Sequence, residues 1–257
     1  MSKNFEVVVL GSGTSQGVPV ITCDCSVCNS TDLKDTRLRS SILIKYNGIH
    51  IVVDTGPDFR EQMLRNNVKT LDAVVFTHEH KDHLAGMDDI RPFNYRSGKD
   101  MEVYASEAVQ EALKREYSYI FADLKYPGIP KVQLNTIETT PFKVHGIEFV
   151  PIDVLHYQMP VKGFRIDNFA YVTDANYIAE GEKEKLHNLD VLILNCLRKE
   201  KHISHFNLEE AIELVNELKP KMTYFTHISH YMGKHEEVAQ ILPSNIQLSY
   251  DGLTIKL

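Results

Sequence analysis

Thr77-His78-Glu79-His80-Lys81-Asp82-His83 places three histidines and one aspartate directly after the apolar run Ala73-Val74-Val75-Phe76. A buried strand that ends in such a cluster is typical of a metal site. Imidazole nitrogens suit zinc, manganese, iron or nickel, and a carboxylate keeps harder ions in range. The alternative is a polar loop that is rich in histidine by chance, but further strand ends carry the same kinds of side chain.

Four other apolar runs end in a side chain that can bind a metal: Ile147 to Leu155 in His156, Phe169 to Thr173 in Asp174, Val191 to Leu194 in Asn195, and Met222 to Thr226 in His227. With the first cluster, the sequence offers seven imidazole and carboxylate donors: His78, His80, Asp82, His83, His156, Asp174 and His227. Seven donors suit two metals about 3.5–4 Å apart, as in two-metal hydrolases. The pattern therefore predicts a dinuclear hydrolytic centre.

Three of the four cysteines lie in one short loop, Cys23-Asp24-Cys25-Ser26-Val27-Cys28. Clustered cysteines in a reducing compartment are more often metal ligands than disulfides. Zinc binds four such ligands tetrahedrally, so a fourth donor is needed from elsewhere. Free thiols in a surface loop are the alternative. Cys196 follows an apolar run and is predicted to be a buried core residue.

Composition limits the class of protein. The 257 residues are 43% hydrophobic and 25% charged, with a formal net charge of −7. No basic block is present, which argues against a general nucleic-acid binder. The first ten residues lack a signal-peptide pattern, and no stretch approaches about 18 apolar residues. We therefore expect a cytoplasmic protein with no membrane partner and no stable nucleic-acid partner.

Strands and helices alternate along the chain without a linker, which predicts one domain over residues 1–257. Asn47-Gly48 between two apolar runs predicts a hairpin, and Asp251-Gly252 predicts a closing hairpin over residues 249–254. A helical turn or two is expected after Leu84, ending before Pro92. Asn207 and Glu210 have capping-box spacing and predict the start of a helix.

The His-x-His-x-Asp-His run, together with the strand-end His156, Asp174 and His227, resembles the metallo-β-lactamase superfamily. The resemblance implies an α/β fold, the αβ/βα sandwich, with two mixed sheets packed face to face and helices outside. It also implies how the donors divide. His78, His80 and His156 would hold one metal, Asp82, His83 and His227 the other, and Asp174 would bridge them.

Four further motifs resemble the PhnP-like branch, the phosphoribosyl cyclic phosphodiesterases: residues 13–19, the Cys-x-Cys-x-x-Cys loop, residues 87–93, and Thr226-His227-Ile228-Ser229-His230. In that branch a C-terminal histidine completes the three-cysteine site. The matching residue is His230, so the resemblance implies a structural zinc on Cys23, Cys25, Cys28 and His230. The zinc-binding loop would span about residues 17–31, and the resemblance also suggests a homodimer.

His205 precedes the predicted cap at Asn207. Phosphodiesterases of this superfamily place a histidine that is not a metal ligand in a comparable segment, where it contacts the scissile phosphate. An alkoxide leaving group needs a general acid with a pKa near the working pH. His205 is thus a predicted catalytic residue, with His202 as the rival for its role, and Asp82 is predicted to be catalytic as well as a metal ligand. His145, His187 and His235 are expected to be surface residues.

The expected function is a dinuclear metal-dependent phosphodiesterase that hydrolyses a small cyclic or simple phosphodiester, phosphoribosyl cyclic phosphate-like or nucleotide. The expected cofactors are two divalent metals, zinc or manganese, and one structural zinc. The alternatives are a transfer-RNA 3′-processing endonuclease-like nuclease, a metal-dependent thioesterase or lactonase, and a scaffold that retains the fold without catalysis. The acidic net charge argues against the nuclease, and the complete donor set argues against the scaffold.

Overall fold

The structure, a computed structural model, describes residues 4–123 and 127–257. Fifteen strands are formed within these ranges: β1 (Phe5–Gly11), β2 (Ser41–Tyr46), β3 (Ile49–Val53), β4 (Ala73–Val75), β5 (Met101–Ala105), β6 (Val132–Thr136), β7 (Phe142–Val144), β8 (Ile147–His156), β9 (Met159–Ile166), β10 (Phe169–Val172), β11 (Tyr177–Ile178), β12 (Val191–Asn195), β13 (Met222–Thr226), β14 (Ile246–Leu248) and β15 (Thr254–Lys256).

The helices of the same ranges are α1 (Phe59–Arg65), α2 (Lys81–Leu84), α3 (Arg91–Ser97), α4 (Glu107–Glu116), α5 (Ser118–Phe121), α6 (Glu180–Lys183), α7 (Leu208–Leu218) and α8 (His235–Ala239). Short 3-10 helices cover Leu33–Asp35, Met87–Ile90, Glu184–Leu186 and His230–Met232. No helix of the described residues is long and apolar enough to cross a membrane.

The strands form two mixed sheets. The first has the order β15-β1-β2-β3-β4-β5-β6, and its strands are parallel from β3 to β6. The second has the order β11-β8-β9-β10-β12-β13-β14, with β7 paired to β8, and is parallel from β10 through β14. Parallel strands bring their carboxyl ends to one edge, which is where polar side chains of α/β proteins converge.

Three apolar clusters define four layers. The central cluster joins both sheets, with residues such as Val7 and Ile44 meeting Phe164 and Ile193. One outer cluster packs α1, α3 and α4 against the first sheet. The other packs α7 and α8 against the second sheet. This is the αβ/βα sandwich, so the predicted fold class is confirmed.

Several local predictions are confirmed. Asn207 and Glu210 form the predicted reciprocal capping box at α7. The Asn47-Gly48 turn joins β2 to β3, with positive φ at both residues. Cys196 is fully buried in the outer core of the second sheet.

Three local predictions are wrong. The segment around Asp251-Gly252 is not a hairpin, because β14 pairs with β13 in the second sheet while β15 pairs with β1 in the first. A 3-10 turn covers Met87–Ile90 as expected, but the helical conformation does not end before Pro92, which lies in the first turn of α3, where its missing N–H removes no helical hydrogen bond. His235 is buried rather than exposed, because it packs beside Arg37 and Asp35.

Candidate metal centre

Asp82, His83, Asp174 and His227 come together from distant parts of the chain. Their ligand atoms all lie within 4.8 Å of one another. The Nε2 atom of His83 lies 3.2 Å from an oxygen of Asp82 and 3.1 Å from an oxygen of Asp174. His227 Nδ1 lies 3.2 Å from that same oxygen of Asp174. These four residues form one donor group at the carboxyl ends of the parallel strands.

A second group contains two donors, His156 and Asp174, and the predicted non-ligand His205, whose ligand atoms again lie within 4.8 Å of one another. Asp174 therefore belongs to both groups, as expected of a bridging carboxylate. His78 and His80 lie outside these two tight groups, but their rings are close. The ring centroid of His80 lies 4.7 Å from that of His78 and 5.1 Å from that of His156. The other six predicted donors thus cluster around Asp174.

Hydrogen bonds on the far sides of the His78 and His156 rings fix which nitrogen faces the centre. Asp54 accepts from the Thr77 hydroxyl at 2.8 Å, so that hydroxyl accepts in turn from His78 Nδ1 at 2.9 Å. His156 Nδ1 donates to the Ser204 carbonyl at 2.7 Å. The Nε2 atom of His78 is buried without any partner. A buried imidazole nitrogen without a partner lowers the stability of the fold unless a ligand such as a metal binds to it.

Asp54 contacts the donors from behind, although no motif in the sequence assigned it to the site. It lies just after β3 with φ of +67° and is fully buried. Its carboxylate accepts from the Thr77 amide at 2.9 Å and from His83 Nδ1 at 2.7 Å. Such a carboxylate–histidine pair orients an imidazole toward a metal. Its place at a strand end, like that of Asp174, is the signal that could have found it.

The centre concentrates negative charge from buried carboxylates, which favours the binding of a positive charge. Burial opposes protonation of His83, but Asp174, Asp82 and Asp54 outweigh it and raise the pKa of the ring well above its usual value. Burial also works against ionisation of Asp174, yet His227 and His83 hold its pKa well below the usual range. Three carboxylates therefore surround one imidazole. Partnerless imidazole nitrogen and concentrated carboxylate charge are what divalent metals bind, so the donors fit the predicted metals.

His205 lies beside the donors and is 7% exposed. Its Nδ1 atom has no hydrogen-bond partner and lies 3.9 Å from an oxygen of Asp174. Burial and the neighbouring His227 lower the pKa of His205 to about 3, so its ring is neutral near pH 7. The pKa of His205 in the protein without substrate therefore lies below the expected value near the working pH. His202 is less buried and lies within hydrogen-bonding distance of the Ser204 hydroxyl, which leaves His205 as the free group.

The cysteine loop and the 3-10 helix His230–Met232 form a separate donor cluster. The sulfurs of Cys23, Cys25 and Cys28 lie 3.2, 3.4 and 3.5 Å from His230 Nδ1. Ordinary Zn–S and Zn–N bonds in a tetrahedron give an S···N edge of about 3.6 Å. The Cys28 amide donates to the Cys25 sulfur, and this bond lowers the pKa of Cys25 to about 6. A thiolate is therefore available for a metal.

The loop between β1 and β2 also reaches the centre. The Thr14 hydroxyl lies 3.2 Å from His227 Nε2, and Ser40 Oγ lies 3.1 Å from His227 Nδ1. Asn195, another strand-end residue, pairs instead with both backbone groups of Ala175. Asn195 thus holds the turn that presents Asp174 rather than facing the donors.

The family model of the beta-lactamase superfamily domain matches residues 50–228, which contain all seven donors. The chain belongs to the metallo-β-lactamase superfamily. A crystal structure of a diphosphatase from the PhnP family is 40% identical, with a TM-score of 0.94, and the match covers 100% of this chain and 98% of that one. This superfamily member therefore lies in the PhnP-like branch.

Two further similarities are more limited. An octanoyltransferase of Porphyromonas gingivalis is 38% identical over 249 residues, which are 96% of this chain and 50% of that protein. The chain spans about half or less of the length of the first curated relatives it matches. The short form of human tRNase Z is 17% identical over 97% of this chain and 98% of that one, with a TM-score of 0.70, and shares the fold.

Proposed function

We propose that this superfamily member is a metal-dependent phosphodiesterase that hydrolyses a small cyclic or simple phosphodiester. The observation that supports this most is the buried, partnerless Nδ1 of His205, 3.9 Å from the carboxylate shared by both donor groups. A free imidazole beside the donors can hydrogen-bond to a substrate group that offers several oxygens, such as a phosphoryl group. The predictions of one domain over residues 1–257, a cytoplasmic location and a homodimer stay predictions.

The proposed cofactors are two divalent metals, zinc or manganese, held by His78, His80, Asp82, His83, His156, Asp174 and His227. When bound, such metals supply a water that ionises near neutral pH and positive charge for the phosphoryl oxygens. Asp54, Thr77 and Ser204 orient the imidazoles through their far nitrogens. Cys23, Cys25, Cys28 and His230 are proposed to hold one structural zinc.

His205 is neutral near pH 7 and therefore carries one N–H donor and one acceptor. An N–H on Nδ1 can donate to an oxygen of the scissile phosphate, and the negative charge of the phosphate favours protonation of the ring. The proton can then pass to the leaving oxygen, the role of a general acid. Solvent access is low because the ring is stacked between His156 and His202.

A second candidate substrate class is a diphosphate, because the PhnP-family relative that is 40% identical is described as a diphosphatase. Hydrolysis of a diphosphate bond also proceeds by attack at phosphorus, so the same donors would serve. The octanoyltransferase name belongs to a protein of twice the length and gives no observation in favour of acyl chemistry in this chain. The shared fold supports the nuclease alternative, but the net charge of −7 argues against it.

The test is a comparison of wild type with His205→Ala, both purified without chelator and matched for metal content. We expect metal-dependent turnover of bis-p-nitrophenyl phosphate and a loss of about 10²–10⁴-fold in kcat on removing His205. Hydrolysis of p-nitrophenyl acetate should fall much less, and His202→Ala is the matched control. A fully metal-loaded wild type that hydrolyses no phosphodiester or dinucleotide diphosphate would rule the proposal out. Equal losses on ester and diester would favour the thioesterase or lactonase.

A further inference from the structure

The hairpin turn between β8 and β9 carries an unusual residue. His156 pairs with Met159, so Tyr157 and Gln158 form a two-residue turn. Tyr157 has φ of +59°, in the left-handed region. A bulky side chain rarely adopts this conformation, because it strains the backbone.

Three other two-residue hairpin turns in the described chain show the ordinary solution. Their first residues also have positive φ, and they are Asn47, His145 and Asp167. Asn, Asp and His are the side chains best tolerated in this region, and Gly follows Asn47 and His145. Tyr157 is the exception among the four turns. The conformation of the turn therefore does not explain why a tyrosine is present, and the explanation lies in the surroundings of its side chain.

The position of Tyr157 supplies that reason. It follows His156, and its amide donates to Asn176 Oδ1 at 2.6 Å, which fixes the end of the hairpin. Its side chain is 53% exposed. Ile203, 68% exposed, precedes Ser204, whose carbonyl accepts from His156 Nδ1. Two exposed apolar side chains thus flank the same metal-ligand histidine from two different segments.

A cavity of about 420 Å³ lies between these segments. It is lined by His80 and His156 and by Tyr157, Gln158, Met159, Ile203 and Ser204. Its volume is in the range of small-molecule sites. Within the described chain, no Lys, Arg, Asp or Glu side chain lines it. An uncharged, flat group fits these walls, and the Gln158 amide can pair with a hydrogen-bonding edge.

We propose that Tyr157 and Ile203 bind the nucleobase of a nucleotide substrate whose phosphate lies at the donor centre. The inference rests on the proposed phosphodiesterase function and narrows its substrate class to base-bearing nucleotides. The base stacks on the Tyr157 ring and packs against Ile203, and its polar edge faces Gln158. Base–aromatic stacking is tolerant of base identity, so the site selects for a base rather than for one particular base.

The experiment uses the metal-loaded full chain and Tyr157→Asn. The substrates are 2′,3′-cyclic AMP and a cyclic phosphate of ribose without a base. The ratio of their kcat/KM values should fall about tenfold in the variant, as expected from losing one stacked base. The melting temperature should not fall, because asparagine suits the left-handed turn. Tyr177→Asn is the matched control, since Tyr177 is 54% exposed on the neighbouring β11 and outside the cavity.

A binding measurement separates this inference from the proposed function. Isothermal titration calorimetry should show that wild type binds AMP more tightly than ribose 5-phosphate and that Tyr157→Asn loses the difference. Equal affinity of wild type for the two ligands, or an unchanged kcat/KM ratio in the variant, would overturn the nucleobase site. Equal losses on both substrates with a lowered melting temperature would show a structural role instead. A wild type that prefers AMP but hydrolyses no diester would contradict only the proposed function.

Discussion

Single side chains at strand ends form the candidate metal centre, and they come in two kinds. Residues such as Asp174 and His227 face the centre, whereas Asp54 and Asn195 hold the residues that do. The sequence shows all four at the ends of apolar runs but does not separate the kinds. That separation depends on the direction of each side chain, because Asp54 contacts His83 Nδ1 and Asn195 contacts the backbone of Ala175.

Asp54→Asn tests the orienting role. The amide cannot accept from Thr77 and His83 with the strength of a carboxylate, and its NH₂ opposes the His83 Nδ1–H. We expect the affinity of the active centre for zinc or manganese to fall about 10–100-fold. Competition with a chromophoric chelator measures this. Asp72→Asn is the control, since Asp72 bonds to His50 at the opposite end of the same sheet. An unchanged metal affinity in Asp54→Asn would contradict the assignment.

Individual elements show where local sequence signals hold and where they fail. The capping box at Asn207 is complete within four residues, so sequence alone places the start of α7 correctly. Asp251 follows a different rule. Its carboxylate accepts hydrogen bonds from the amide and hydroxyl of Ser12 and from the Leu38 amide. These bonds hold the Asp-Gly turn at the point where the chain passes from the second sheet to the first, so the turn does not join two paired strands. A turn signature specifies the bend but not the partners of the strands beside it.

The cysteine loop joins the N-terminal part of the chain to the 3-10 helix that begins three residues after His227. Cys25→Ser should therefore release one metal per chain, from about three to about two, and lower the melting temperature, because structural zinc contributes directly to folding. Elemental analysis and calorimetry measure the two effects. Ser26→Ala, an exposed change in the same loop, should leave both unchanged. Full metal content in Cys25→Ser would exclude this site as a zinc site.

The complete fold also buries a network of polar side chains that joins residues from the N-terminal part of the chain to residues from its C-terminal part. Arg37 donates to Ser12 Oγ at 2.9 Å, to the Ser249 carbonyl at 2.6 Å and to His235 Nδ1 at 3.3 Å. The His235 amide donates to Asp35 at 2.7 Å. Burial, together with the positive charge of Arg37, lowers the pKa of His235 to about 4. The folded protein therefore keeps this ring neutral where the unfolded chain protonates it.

This difference predicts a pH dependence of stability. Because the pKa of His235 is lower in the folded state than its ordinary value of 6.5, its contribution is fully present above about pH 6.5 and is lost as the pH falls toward about 4. His235→Gln should flatten the fall in the free energy of unfolding over this range. Urea denaturation of the metal-free proteins at several pH values measures the slope, with His145→Gln as the exposed control. Identical slopes for wild type and His235→Gln would contradict the prediction.

The sequence alone indicated the seven donors and the cysteine loop, because ligand spacing is a local property of the chain, and its resemblance to the metallo-β-lactamase superfamily implied the αβ/βα sandwich. The tertiary structure alone placed Asp54 behind His83, buried His235 beside Arg37, and put Tyr157 and Ile203 on either side of one cavity. These relations join residues that are 29, 198 and 46 positions apart. Their energetics depend on burial and side-chain direction, which follow from how the two sheets pack. The cluster from His78 to His83 thus predicts a hydrolytic metal centre, whereas the residues packed around that centre follow only from the tertiary structure.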